Sequence, residues 1–395
     1  MNLNTNQKEA IKKFSKLKVG ALFMEAGTGK TLTAYNIIKP RNCDYVLWIT
    51  PCPTKENLKV EIEKYGGLEN LEIVGTESIQ SSDRVYIEIY EKMRSKENAC
   101  VVVDEAFKIK NANAKRSKRI NELGKLAQYR LILNGTPLAK NYLDIHNQIN
   151  FLSPKILNMG FTEYKNTFVE YVKIKYKVGN RKIEKEYIKD YHNLDYLYSL
   201  IEPYVYDCKL DMNKNKKYIN IPVYATSETE QLYYDTLDDF EERIHDEDSY
   251  IKMTQSLQHK YSLDANKIEA IKEHVDSKTI IFVKFVETKE TLQAIFPNAL
   301  VLTYSTGAAG LNLQEYNKIV FYDKTFDYLQ REQAEHRIYR IGQANDCTYV
   351  DLTLNLPLDK IIDRNIDKKI KMGDYFKTLL KEGAKWQQTM KSYNQ

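Results

Sequence analysis

The chain has little of what marks a membrane, secreted or metal-stapled protein. No uninterrupted apolar run approaches the roughly 20 residues that cross a bilayer, and the stretch from Met1 to Lys13 is polar, so neither a span nor a signal peptide is expected. Cys43, Cys52, Cys100, Cys208 and Cys347 are odd in number, widely scattered and never spaced C-x-x-C. A disulfide framework or a zinc site is therefore not expected, and reduced core thiols are. Charge of one sign is also scarce in excess: the net value is +5, which only weakly favours a polyanionic partner. The composition reads as that of an ordinary soluble globular protein, expected in the cytoplasm. With 395 residues, 29% charged and 43% hydrophobic, it is long enough for two or three cores.

Against that background one stretch stands out. Met24-Glu25-Ala26-Gly27-Thr28-Gly29-Lys30-Thr31 follows the apolar run Val19 to Met24 and precedes the helical-looking Leu32 to Ile38. A strand, a glycine turn and a helix start in that order describe a phosphate cradle. Gly27 and Gly29 let backbone N–H groups converge on a polyphosphate, and the helix start adds free donors and a positive dipole end. Lys30 would then reach the β- and γ-phosphates, and the Thr31 hydroxyl would ligate Mg²⁺. Upstream, an amphipathic helix runs to about Phe14, and Gln7 near its start offers a donor and an acceptor suited to an adenine edge, or simply a polar surface.

A second chemical stretch is Ala99 to Phe107, an apolar strand that ends abruptly in Asp104 and Glu105. In an open α/β sheet the ligand crevice lies beyond the carboxyl ends of the strands, where this pair would project. Asp104 would hold Mg²⁺ and Glu105 would orient and deprotonate an attacking water. Capping of a following helix is the plainer alternative. Tyr45 to Thr50 and Tyr129 to Asn134 read as buried parallel strands, and Leu71 to Val74 and Arg84 to Tyr90 as further strands. Helices between them complete an α/β pattern. Asn134 and Thr136 are placed to couple this site to something across the cleft.

From Lys155 to Lys267 the pattern changes to Tyr- and Lys-rich segments, read as a helical insertion and connector, with a hairpin turn at Val178-Gly179-Asn180. Lys214, Lys216 and Lys217 are either phosphate contacts or ordinary surface. A second α/β unit starts at Lys278 to Lys284 and continues through Ala299 to Tyr304 and Ile319 to Tyr322. Gln330 to Tyr339 reads as a helix on which Arg337 and Arg340 share a face, and two guanidiniums there invite an anionic target. The expected divisions are 1–154, 155–267, 268–356 and a basic helical tail over 357–395.

Taken together, these stretches resemble the Swi/Snf-type branch of superfamily 2 helicase-like ATPases, in order along most of the chain. Leu3 to Gln7 is similar to the family's adenine-reading segment, with Thr5 where proline is usual. Glu25 to Thr31 resembles motif I, Thr50 to Pro53 motif Ia, and Asp104 to Phe107 motif II, with Phe107 in place of histidine. Leu131 to Pro137 resembles motif III, Ile280 to Phe285 motif IV and Thr306 to Gln314 motif V. Gln333-Ala334 with Arg337, Arg340 and Gly342-Gln343 resembles motif VI, the most specific of them.

The resemblance implies two RecA-like lobes of parallel sheet flanked by helices, with ATP and Mg²⁺ between them. Gln7, Gly27, Thr28, Gly29, Lys30, Thr31 and Gln333 would contact the nucleotide. Arg337 and Arg340 would act as arginine fingers, which stabilise transition-state charge. Pro51, Thr54, Tyr90 in a Tyr90-Glu91 turn, Lys284 and Thr306 would meet double-stranded DNA, mainly at phosphates and so without sequence preference. The implied activity is DNA-stimulated ATP hydrolysis with translocation along duplex DNA, by a monomer. A strand-separating or branch-migrating helicase is the neighbouring alternative, and a DNA-bound adaptor that uses ATP as a switch is the distant one. The short distance from Phe285 to Ala299 makes the second lobe small, and compactness with coding bias fits a viral or phage protein in a host cytoplasm.

Overall fold

The computed structural model describes residues 3–135, 142–178, 181–240, 244, 246–307, 313–368 and 390. The chain divides into two compact units, Met1–Asp211 and Met212–Gln395. In the first, β1 (Val19–Met24), β2 (Tyr45–Thr50), β3 (Leu71–Gly75), β4 (Ala99–Val103), β5 (Tyr129–Asn134) and a later strand, β8, form one sheet. Its order is β3-β2-β4-β5-β1-β8, and every pairing in it is parallel. Two further strands, β6 (Val169–Val178) and β7 (Arg181–Tyr191), pair only with each other as an antiparallel hairpin, and β8 spans Val205–Cys208.

Continuous apolar runs form these central strands because both faces are covered. Alternate residues go to opposite layers. Phe23, Leu47, Val101 and Ile132 pack with Ile89, Met93, Ile120 and Ile149 from helices on one side. Leu22, Trp48, Val102 and Leu131 pack with Phe14, Ala34, Ile38 and Ile62 from helices on the other. The second unit repeats the plan with β9 (Lys216–Val223), β10 (Thr279–Val283), β11 (Leu300–Thr303), β12 (Lys318–Phe321) and β13 (Cys347–Leu354). The order is β11-β10-β12-β13-β9, again all parallel. Two parallel α/β units are thus present, as the sequence implied.

Several expectations need correction. Arg84 to Tyr90 is not a strand; it lies in the helix Asp83–Arg94, started by Ser82, whose side chain accepts the Val85 N–H. Val85, Ile89 and Met93 recur every four residues and turn inward, and Arg84 pairs with Glu88 across one turn. The stretch from 155 to 267 is not purely helical. The hairpin expected there is present as β6–β7, with Gly179 and Asn180 outside the described residues, but the stretch also gives β8 to the first sheet and β9 to the second and is cut by the division at Asp211/Met212. The helix expected from Gln330 to Tyr339 spans Tyr328–Glu335 and passes into turns, so Arg337 and Arg340 lie beyond it. The segment expected as a basic helical tail begins with a helix that is packed on one face. Helix Pro357–Asp367 buries Leu358, Ile361 and Ile362 in the second unit's core. Residues 369–389 and 391–395 lie outside the described residues. Among the described residues, no helix is long and apolar enough to cross a membrane.

Candidate active site

The phosphate loop is shaped by two glycines in the left-handed region, Gly27 at φ 87° and Gly29 at φ 82°. Gly29 caps the helix Lys30–Ile38, so Lys30 and Thr31 occupy its first turn, where backbone N–H groups lack helical partners. Within the loop, Thr28 donates through its N–H and its hydroxyl to the carbonyl of Glu25, at 3.2 and 2.7 Å. Gln7 supports it from outside. Its Nε2 donates to the Thr28 carbonyl at 3.1 Å and its Oε1 accepts the Asn4 N–H at 3.0 Å. Both polar ends of Gln7 are therefore engaged within the chain.

Because β5 lies between β1 and β4, the carboxyl ends of all three open on one crevice. Lys30 rises from the β1 side. Its Nζ reaches past the end of β5, 3.2 Å from where a Cβ on Gly135 would stand. From β4 comes Asp104, whose N–H donates to the Ile49 carbonyl at 2.8 Å and whose Oδ1 accepts the Glu105 N–H at 2.9 Å. Thr50 Oγ1, at the end of β2, donates weakly to Asp104 Oδ2 at 3.4 Å and shares a 2.7 Å hydrogen bond with Thr54 Oγ1. Glu105 itself holds φ +50° and ψ +53°, a left-handed conformation that glycine adopts freely and L-residues other than asparagine and aspartate rarely do.

Burial and the neighbouring Glu105 charge push the Asp104 carboxyl up to about 7, against the opposing pull of Lys30, the Glu105 N–H and Thr50. Two adjacent carboxylates beside a helix start that carries Thr31 form a hard-oxygen donor set of the kind that suits a small divalent cation. The sequence-identified residues Gln7, Gly27, Thr28, Gly29, Lys30, Thr31, Asp104 and Glu105 are thus gathered in one unit at one sheet edge. One cavity of about 590 Å³, lined by residues including Ile38, Asn42, Asp44, Gly67 and Asn70, lies at the amino ends of the strands, away from this crevice.

The second unit holds the remaining candidates. Half-buried Gln333 is on the helix Tyr328–Glu335, with Arg337 and Arg340 in the turns after it. Arg331, unmarked by sequence reasoning, anchors that helix. It makes a bidentate pair with Asp351 of β13, donates through Nε to Glu335 Oε1 at 3.1 Å, and stacks 3.4 Å from the Phe321 ring centroid. Gln314 Nε2 donates to the Ile341 carbonyl at 2.9 Å, tying the end of motif V to motif VI. Residues 308–312 of motif V and Thr136 of motif III lie outside the described residues.

The nucleic-acid candidates divide. Pro51 precedes and Thr54 ends the short turn Cys52–Thr54 beyond β2, and Thr54 Oγ1 donates to the Pro51 carbonyl at 2.7 Å. Tyr90 is not in a turn. It sits on the helix Asp83–Arg94, half-buried against the first unit's core with its ring 6.0 Å from that of Tyr86. Lys284 turns inward: its Nζ donates to Gln258 Oε1 at 2.6 Å and lies 3.2 Å from the Phe326 ring centroid. Desolvation there lowers its ammonium to about 7, opposed by Asp323. Thr306 lies in the helical turn Tyr304–Gly307 after β11, and its side chain is outside the described residues.

A phosphate loop and a carboxylate pair at the carboxyl edge of a parallel sheet define a nucleoside-triphosphate-binding α/β protein. A family model described as the SNF2-related domain matches residues 7–296. The chain belongs to that family. Nucleoside triphosphatase I of Choristoneura biennis entomopoxvirus is 29% identical over 166 residues, which covers 37% of this chain and 26% of that protein. Nuclear protein STH1/NPS1 of Saccharomyces cerevisiae is 31% identical over 172 residues, 38% of this chain and 13% of that one. Helicase SWR1 of Mycosarcoma maydis is 30% identical over 158 residues, 34% and 8%. Each match therefore spans about a quarter or less of the curated relative. A solved structure, the Sulfolobus solfataricus SWI2/SNF2 ATPase core in complex with dsDNA, aligns over 99% of this chain and 97% of that one at 18% identity and a TM-score of 0.45.

Proposed function

We propose that this chain hydrolyses ATP and couples the reaction to translocation along double-stranded DNA. Membership of the SNF2-related family, together with Lys30, Asp104 and Glu105 at one sheet edge, carries this reading. Lys30 and the N–H groups of the loop would hold the β- and γ-phosphates, and Glu105 would orient the attacking water and accept its proton. Thr31 and Asp104 would hold Mg²⁺, which when bound neutralises phosphate charge. Arg337 and Arg340 would supply finger contacts, making turnover depend on how the two units meet. Pro51 and Thr54 are the DNA candidates that the first unit leaves at a loop. The half-buried positions of Tyr90 and Lys284 favour neither as a primary phosphate contact.

The deciding experiment is steady-state ATP hydrolysis without nucleic acid and with single-stranded DNA, duplex DNA or duplex RNA. Stimulation by duplex DNA that disappears in Glu105→Gln supports the motor, and loss of turnover in Arg340→Ala with ATP affinity retained supports the finger role. Absence of stimulation by any polymer would favour an adaptor instead. The self-paired β6–β7 hairpin keeps strand separation as a second reading, which release of a labelled strand from forked DNA would support.

A further inference from the structure

Glu77 belongs to none of the stretches that carry the chemistry, yet its carboxylate joins two of them. It lies in the first turn of the short helix Thr76–Ser81, which follows β3 directly. One oxygen accepts the backbone N–H of Cys52 at 2.8 Å, and the other accepts the ammonium of Lys108. Cys52 opens the turn between Pro51 and Thr54. Lys108 lies in the turn Ala106–Ile109 immediately after Glu105, and its N–H donates to the Glu105 carbonyl at 3.0 Å. Burial alone would raise the Glu77 carboxyl, but Lys108 and the Cys52 N–H outweigh it and hold it at about 2, so it is ionised near neutrality.

A second contact leaves the loop little slack. A Cβ on Gly75 would collide with Cys52 Sγ and stand 3.4 Å from the Cys52 Cα, while that sulfur lies 3.5 Å from Ser78 Oγ. Displacement of Cys52 must therefore carry Glu77 with it or break their hydrogen bond. Whatever moves Glu77 pulls on Lys108 and on the turn that begins at Glu105.

We propose that Glu77 is a positioning residue that couples the Pro51–Thr54 loop to the Glu105 turn, so that duplex DNA at the loop adjusts the water-orienting carboxylate. The inference rests on the motor reading given above. A separate link through Thr54 and Thr50 reaches Asp104, whereas the Glu77 route reaches Glu105.

The same contacts join loop and turn in both directions, so nucleotide held at the turn should also alter the loop. The test uses amide hydrogen exchange on the full chain, with and without a non-hydrolysable ATP analogue and MgCl₂. In the wild type, exchange at Cys52 and Thr54 should change by about fivefold or more, the lower end of typical coupling. In Glu77→Ala that response should vanish while protection of residues 27–31 persists, and Glu77→Gln, which keeps an acceptor for Cys52, should retain part of it. An equal loop response in wild type and Glu77→Ala overturns the proposal, as does a wild-type loop that ignores nucleotide. In hydrolysis assays, Glu77→Ala should keep basal turnover and lose most of the DNA-stimulated increment, with DNA affinity little changed. A proportional fall in both rates would mark a merely structural role. Wild-type turnover indifferent to duplex DNA would instead remove the motor reading, and the exchange result would still decide whether Glu77 links loop and turn.

Discussion

The Gln7 side chain donates to the Thr28 carbonyl at 3.1 Å while accepting the Asn4 N–H at 3.0 Å, so one residue both caps the first helix and props the phosphate loop. The same amide nitrogen fills the space a Cβ at Gly29 would need. Loop and helix are therefore fitted to each other through this one buried glutamine.

Gln7→Ala should lower stability by roughly 1–3 kcal/mol, the cost of stranding buried polar partners, and raise the KM for nucleotide. If propping the loop is its main task, ATP and GTP lose affinity equally. Titration of both nucleotides measures this; selective loss of ATP would assign Gln7 to adenine recognition instead.

What could be read in advance depended on how completely each element is buried. β1, β2, β4 and β10 are covered on both faces and show as unbroken apolar runs, so these strands and the residues at their ends were legible. β9 is an edge strand whose exposed and buried positions are mixed, and it hid among lysines and tyrosines. Val85, Ile87 and Ile89 alternate over a short window and imitate a strand. Met93, one turn further, restores the helical period, while Ile87 is 56% exposed. Glu77 carried no local signal, because its partners Cys52 and Lys108 are far away in sequence.

Asp104 makes the nucleotide-free protein sensitive to pH in a defined direction. Its carboxyl is raised from 3.8 to about 7, so the folded chain holds a proton that the unfolded chain releases. This group therefore favours folding at low pH, and its contribution is lost as pH rises from about 4 through 7. In Asp104→Asn the melting temperature should fall less over that window than in the wild type. With Asp104 as the proposed Mg²⁺ ligand, MgCl₂ should stabilise the wild type more at pH 8 than at pH 5. Identical pH profiles for the two proteins would refute the assignment.

Glu105 occupies left-handed backbone, which costs an L-residue roughly 1–2 kcal/mol. Glu105→Gly should relieve part of that strain and raise the denaturant midpoint, yet abolish hydrolysis. Glu105→Gln should bind nucleotide and turn none over while keeping the left-handed backbone. A glycine variant no more stable than the glutamine variant would show that the backbone there is not strained.

Arg331 supplies the last prediction. Its side chain is 17% exposed, its guanidinium is held by Asp351 and Glu335 and stacked on Phe321, and it fixes the helix that leads to Arg337 and Arg340. Arg331→Ala leaves Asp351 without its bidentate partner and should cost about 3 kcal/mol, the lower end for breaking a buried pair. Arg331→Lys should recover little, because an ammonium cannot form the two-pronged contact or stack as a plane. Denaturant unfolding reads the stability loss, and hydrolysis reads its consequence. Because Arg337 and Arg340, the proposed fingers, follow the helix that Arg331 anchors, turnover should fall in Arg331→Ala. Turnover held at the wild-type level in a destabilised Arg331→Ala would mean that the finger turns are positioned from elsewhere in the second unit.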